Sequence, residues 1–475
     1  MYLSSRTPTA GSAERDPDEL DGPELDRALE LQPAPGVDLV TPPDDPSGGE
    51  VTEEEPTGVE GNVVALGVTS MFTDISSEMV ASILPLYLTL LYGFSPLQLG
   101  LFDGFYQGLA AVMALGAAVA ADRRRRLKGM AGFGYGLSTV CTAGLVAAQG
   151  AWAWSVSFLY FDRLGKGIRT APRDAIISLS VRPGRLGRAF GLHRSFDTLG
   201  AVAGPVVASI VLARNLNGYQ SVFTVAFFAS VIGLAAFVFF VDGRRKVLLD
   251  RAPDVLPAPA EPPTGPRWFA RTRRDISVLL SRSTYRRALL LGGGLALLTP
   301  GDGLIYLTFQ RDSSLTTAQF PLLYVGGSLV FLLAAYPVGR LADRVGRWRV
   351  FIAGEALFVG VLAVLASGQR GVLALVAMVV LLGGRYAATD GVLMAVASSA
   401  LPSSLRTTGL GVLVAVIALG HLVASTLYGS LWGSLGGAEA ARIFAIALAA
   451  VTLGGVLLLK RRPPQVDVGA RQDAR

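Results

Sequence analysis

Charged side chains cluster where an apolar chain should not tolerate them. From Ala151 to about Ser180 the residues are apolar enough to enter a membrane, yet the middle reads Asp162-Arg163-Leu164-Gly165-Lys166-Gly167-Ile168-Arg169-Thr170-Ala171-Pro172-Arg173-Asp174. An ionised group near a bilayer centre is costly unless it faces a partner or water, so this segment marks a functional site rather than a lipid-facing wall. At helical spacing Asp162, Lys166, Arg169 and Arg173 share one face, and Arg163, Gly167, Thr170 and Asp174 share another. Thr73-Asp74-Ile75-Ser76-Ser77-Glu78-Met79 adds two carboxylates on one helix face. Two such groups resist simultaneous ionisation, which is the chemistry of a proton carrier; a permanent ion cluster with Arg163 or Lys166 that only fixes packing is the competing reading. Asp302 stands in Thr299-Pro300-Gly301-Asp302-Gly303, where Pro and Gly predict a broken helix beside a cavity. It either binds cargo or a proton on its own or is paired by Arg385. Asp103, Gln107, Tyr306 and Asp390 are further candidates, with Tyr106, Gln310, Tyr324 and Tyr386 as groups that orient a ligand. His421 reads as a packed neutral residue or a proton relay. His193, with Arg194 and Asp197, is expected to join an ion network with Arg173 and Asp174.

The elements that carry these residues are apolar runs of membrane-crossing length. Twelve are predicted, at 62–92, 96–120, 130–149, 151–181, 187–213, 219–241, 287–310, 319–342, 349–367, 371–399, 407–433 and 440–460. Composition agrees: 475 residues are 51% hydrophobic with 56 Gly and only 16% charged. The fold class is therefore an all-α integral membrane protein. A single cysteine, Cys141, and two histidines exclude an internal disulfide framework and ordinary zinc catalysis, so neither metal nor cofactor is expected. Residues 1–61 hold 16 acidic and 3 basic side chains, against 20 and 39 in the remainder. That segment, rich in Pro, Asp, Glu and Gly, is predicted to be a disordered acidic tail. It has no apolar stretch near Met1, so the first run is expected to act as an uncleaved signal anchor.

Lys and Arg collect at Arg123 to Arg126, Arg182 to Arg188, Arg244 to Arg287, Arg344 to Arg349 and Lys460 to Arg462, all on one side of the predicted topology. Connections such as Tyr92 to Pro96 carry none. The positive-inside rule then places both termini in the cytoplasm of a multi-pass plasma-membrane protein. The Pro- and Arg-rich stretch 242–286 is a cytoplasmic linker between bundles at 62–241 and 287–460, and 461–475 is a short tail. The halves repeat: Asp122 and Asp343 lie 221 residues apart, Arg163 and Arg385 222, and Pro183 and Pro402 219. A parallel repeat of this kind puts a binding site between the halves near mid-bilayer.

Three motifs resemble those of the major facilitator superfamily, over essentially the whole chain after the tail. Gly339-Arg340-Leu341-Ala342-Asp343-Arg344-Val345-Gly346-Arg347 is similar to the superfamily's loop signature between the second and third helices of a half. The first-half copy keeps Asp122 and Arg123 but lacks both glycines. Arg163-Leu164-Gly165-Lys166-Gly167-Ile168-Arg169-Thr170-Ala171 resembles the fourth-helix signature associated with proton coupling, with Lys166 where Gln is usual and Arg169 where a small residue is usual. Gly191, then after eight residues Gly200, Gly204 and Pro205, is similar to the fifth-helix antiporter signature, its terminal Gly pair replaced by Ala208-Ser209. The resemblance implies two six-helix bundles that rock about a central site, gated by Asp343, Arg344, Gly346, Arg347 and their first-half counterparts. It also implies that the third, sixth, ninth and twelfth helices face lipid; Glu355 is placed near the cytoplasmic end of the ninth.

Glycine runs such as Gly292-Gly293-Gly294 lie inside spans with no preceding strand, and no nucleophile elbow or phosphate loop is found, so an enzyme is not expected. The expected function is proton-coupled export of a small molecule by a monomer in the lipid bilayer, with protons as the second ligand and no nucleic acid. Uptake of an organic anion with protons, or a non-transporting receptor on this fold, are the alternatives. Five cations on the fourth and fifth helices point to an anionic ligand, although six carboxylates in the same half nearly cancel them.

Overall fold

The computed structural model describes residues 57–123, 127–148, 150–181, 185–215, 218–242, 277–311, 313–401 and 406–461. The predicted acidic tail, most of the basic linker and the C-terminal tail fall outside these residues, as do the side chains of Asp122 and Arg123. Among the described residues the chain is helical, with no strand. In order the helices are α1 (Thr57–Leu86), α2 (Pro96–Arg123), α3 (Leu127–Ala147), α4 (Trp152–Leu179), α5 (Leu186–Arg214) and α6 (Tyr219–Phe240). There follow α7 (Ser283–Ala296), α8 (Asp302–Arg311), α9 (Leu322–Val345), α10 (Arg347–Ala366), α11 (Val372–Ser399), α12 (Arg406–Leu435) and α13 (Gly437–Arg461). Nine helices among the described residues are long and apolar enough to cross a membrane. Helix α4 is not one of them, because of its charges.

Two irregularities place functional side chains. Pro85 inside α1 has no N–H to continue the ladder, and the helix widens into a π-turn over Tyr87–Leu91. Thr89 Oγ1 donates to the Pro85 carbonyl at 2.6 Å. The seventh apolar run is broken, as its Pro-Gly sequence predicts: α7 stops at Ala296 and α8 starts at Asp302. A residue before proline is driven out of the α region, which explains the stop ahead of Pro300. The backbone groups freed there are satisfied by α12, whose Ser425 Oγ accepts from the Gly301 N–H at 2.9 Å and whose His421 Nδ1 donates to the Thr299 carbonyl at 2.8 Å. Between α9 and α10, Gly346 has φ +103°, a turn that a side chain would strain.

Helices α1 to α6 pack chiefly on one another, through α3 on α4, α1 on α5 and α6, and α2 on α4. Helices α7 to α13 do the same, through α10 and α9 on α11 and α13 on α10. The two sets meet mainly where α2 crosses α12 and, less extensively, where α5 meets α9. At the first crossing the backbones touch: a Cβ on Gly100 would lie 2.1 Å from the Ser425 carbonyl oxygen, and one on Gly429 would lie 2.2 Å from that of Pro96. Small residues allow this approach, which supplies the packing that lipid-immersed helices lack from hydrophobic drive. Ser209 Oγ of α5 donates to the Ala318 carbonyl at 2.6 Å, a second link between the sets. The glycine contacts lie at the end where α2 begins and α12 finishes, so that end of the interface is sealed.

Gly100→Val places atoms inside the backbone of α12, and overpacking of this kind costs about 1–3 kcal/mol. The sealed end should open. Spin labels on cysteines introduced at Trp152 and Val372, in a background with Cys141 replaced by Ser, are expected to report a longer mean separation in the Gly100→Val protein than in its parent.

Candidate functional site

Between the two sets lies a cavity of about 740 Å³. Helices α1, α2 and α4 contribute Glu78, Asp103, Tyr106, Gln107, Arg163, Lys166 and Thr170 to its wall, and the second set contributes Asp302, Tyr324, Arg385, Tyr386, Asp390 and His421. Most of the residues singled out in the sequence therefore converge on one space. Four do not line it in the expected way, and one of these, Gln310, instead donates to the Leu315 carbonyl at 3.2 Å. Tyr306 is fully buried, its ring packed edge-to-face on Tyr324 at 4.7 Å. Arg169 passes behind α4, donates to Ser138 Oγ at 3.0 Å and stacks on Tyr135 of α3 at 4.8 Å. Asp74 is set back from the wall, where it meets Lys166 and Arg169.

The carboxylate pair on α1 is held by α4. Lys166 Nζ lies 3.4 Å from Glu78 and 3.7 Å from Asp74, and Arg169 lies 4.0 Å from Asp74. Both helix faces drawn from the charged stretch are thus in use: Lys166 and Arg163 reach the cavity, while Arg169 anchors α3. Gly165 permits this, because a Cβ there would lie 2.8 Å from the Gly134 carbonyl of α3. Arg163 donates to the Tyr106 hydroxyl, lies 4.1 Å over that ring, and has Asp162 at 3.9 Å.

Opposite, Asp302 is the first residue of α8, where the positive end of the helix dipole favours an anion. It accepts a hydrogen bond of 2.5 Å from the Tyr386 hydroxyl. Arg385 is not its ion-pair partner. The guanidinium turns to Glu355 of α10 at 3.6 Å and stacks on Phe358 at 4.5 Å. Glu355, expected near the cytoplasmic end of the ninth run, is a buried group two turns inside α10 that faces α11. A carboxylate 3% exposed needs a cation beside it, and Arg385 is that cation. Glu355, Arg385, Asp390 and His421 of the second set, together with Arg194 of α5, line a second cavity of about 440 Å³.

Asp103 accepts from Ser425 Oγ at 2.9 Å, the same hydroxyl that receives the Gly301 N–H. A carboxylate of α2 is thereby joined to α12 and to the break before α8. Ser425 was not singled out in the sequence; it lies four residues after His421, on the same helix face, which was the available signal. His421 sits at the cavity with its Nδ1 engaged by Thr299, a satisfied and packed residue. The network expected around His193 is present: Ser70 Oγ and His193 Nε2 share a hydrogen bond of 3.0 Å, Asp197 lies 3.5 Å from His193 Nδ1, and Arg173 donates to Ser70 at 3.4 Å and to Asp174 at 2.9 Å.

Of the gating residues, Asp343 is bound among the described residues by Arg347, at 3.1 Å, with both side chains exposed. Arg344 and Gly346 are exposed and Gly339 has open space around it. Gly200, Gly204 and Pro205 are buried in α5 against α1, where a Cβ on Gly200 would lie 2.6 Å from the Met71 carbonyl.

The family model for the Major Facilitator Superfamily matches residues 66–309 and 288–474, and the chain belongs to that superfamily. It is 27% identical over 387 residues to an uncharacterized MFS-type transporter of Methanocaldococcus jannaschii, a match that covers 78% of this chain and 88% of the relative. Among solved structures it is similar to a bacterial homolog of the human lysosomal transporter Spinster in an inward-facing, unoccupied conformation, with a TM-score of 0.59, 14% identity, and 86% and 96% of the two chains covered. A POT peptide transporter solved with sulfate gives a TM-score of 0.66 at 16% identity, covering 84% and 94%. The fold is therefore that of a multi-pass membrane transporter.

Removing one member of a buried ion pair strands the other, at a cost of about 3–5 kcal/mol. Arg385→Met is expected to lower the thermal stability of the detergent-solubilised protein, and Arg385→Met with Glu355→Gln to restore most of it. Additive losses in the double variant would mean that the pair does not interact.

Proposed function

We propose that this chain is a secondary active transporter that exports a small organic molecule in exchange for protons, by alternating access. Its twelve apolar runs cross the plasma membrane as two six-helix bundles, the seventh crossing being α7 and α8 together. Both termini lie in the cytoplasm, as the basic connections require. The sealed end, where α2 meets α12, is then extracytoplasmic, and the conformation is inward-facing. Exposure of Asp343 and Arg347 fits this state, since a lock on the cytoplasmic side is released when that side is open.

One observation carries the reading. Ionisable side chains from both halves, Glu78 and Asp103 on one side and Asp302 and Asp390 on the other, share a single cavity at the interface about which the halves rock. A membrane protein with no nucleotide-binding loop draws its energy from a gradient, and carboxylates in such a cavity take up and release protons as access alternates. The fifth-helix glycines favour exchange over symport, because close packing of α5 on α1 closes a path along which protons would leak.

Proteoliposomes with pyranine in the lumen test this on compounds selected by ligand-induced thermal shift. Exchange predicts that adding cargo outside makes the lumen more alkaline, symport makes it more acid, and a receptor changes nothing. Asp302→Asn should abolish the response while the protein stays in the membrane; an undiminished response would remove Asp302 from the coupling.

A further inference from the structure

Among the described residues, the charge on the cavity wall that lacks an ion-pair partner is of one sign. Arg163 and Arg385 belong to its wall, yet the side chain of each is only 8% exposed, and the Nε of each is sealed from solvent. The first is spent on Tyr106 and Asp162, the second on Phe358 and Glu355. Lys166 is more open, at 32%, but two carboxylates of α1 already share it. The acids differ. Asp302 receives a tyrosine hydroxyl and Asp103 a serine hydroxyl, and Asp390 is exposed toward the space, sharing the second cavity with Arg194 of α5. Among the described residues none of these three carboxylates forms an ion pair.

An anion entering here would have to displace Glu78 and Asp74 from Lys166 and then lie beside three carboxylates. A cation meets those carboxylates directly, with aromatic walls from Tyr324 and Tyr386 whose ring faces also attract positive charge. Carboxylates in a low-dielectric cavity gain most from a partner of opposite sign. We propose that the cargo is an organic cation, an ammonium or other onium centre on an apolar body, held by Asp302 and Asp390. This rests on the reading of the cavity as the cargo site and reverses the anionic preference drawn from the sequence.

Tetraphenylphosphonium and tetraphenylborate have nearly the same shape and opposite charge, so the pair isolates sign from size. Equilibrium dialysis of the full-length protein in a neutral detergent should show saturable binding of the phosphonium, and borate uptake no greater than that of empty micelles. Asp302→Asn and Asp390→Asn should each weaken phosphonium binding at least tenfold, whereas Glu439→Gln, at an exposed acid paired with Arg442 outside both cavities, should not. The contrast between the two probes on the unaltered protein needs no variant to fold. Borate binding that Lys166→Gln abolishes, absence of saturable phosphonium binding, or phosphonium binding indifferent to both Asn variants would overturn the proposal. Failure of the transport reading looks different: phosphonium then binds with the predicted dependence on Asp302 and Asp390 but produces no pH response in proteoliposomes.

Discussion

An ionised group surrounded by hydrocarbon is so unfavourable that its position is dictated by its partner, and in this chain that constraint organises the interior. Lys166 stands between Asp74 and Glu78 and so ties α4 to α1. Arg169, from the next helical turn, lies beside the same Asp74 and reaches on to Ser138, tying α4 to α3 as well. Three helices are thus fixed by two cations one turn apart. The glycines between them matter for the same reason: without a side chain at Gly165, α3 and α4 approach closely enough for Arg169 to be desolvated against Tyr135 rather than left in lipid.

The seal and the site share atoms. Ser425 receives the N–H that the break at Pro300 leaves without a helical partner, and gives its own proton to Asp103. Separation of α2 from α12 breaks the second bond and leaves a carboxylate needing a new donor, so the state of Asp103 and the closure of that end are linked through one hydroxyl. Gly100 lies directly against the backbone of the same serine. Any movement that opens the seal therefore disturbs the break from which Asp302 projects.

Much of this was legible in the sequence because apolar length and charge exclusion act locally. Each apolar run carries helix close to its expected bounds, and Thr299-Pro300-Gly301 marks its own break. The convergence of Glu78, Arg163, Lys166, Asp302 and Arg385 followed from the cost of charge in lipid. Pairing was less legible, because it depends on which helix lies behind which. Nothing near Arg385 in the sequence names Glu355, thirty residues away and on another helix. Likewise the cations of α4 suggest an attraction for anions only until the carboxylates and rings that already hold them are placed.

The repeat explains why the two walls differ in charge. At the offsets of 222 and 221 residues that relate Arg163 to Arg385 and Asp122 to Asp343, Glu355 of α10 corresponds to Phe133 or Gly134 of α3, neither of them acidic. In the first half that glycine lets α3 close on α4, with a prospective Cβ only 2.7 Å from the Gly165 carbonyl, and no acid stands behind the helix. Arg163 consequently turns toward Tyr106 and Asp162, at the cavity's edge. In the second half a carboxylate occupies the equivalent place and draws Arg385 back toward α10. Asp302 is left to a tyrosine hydroxyl, and Asp390 to the open cavity. The glutamate present at this place in the second repeat thus draws Arg385 away from the cavity, while Asp302 and Asp390 have no ion-pair partner among the described residues.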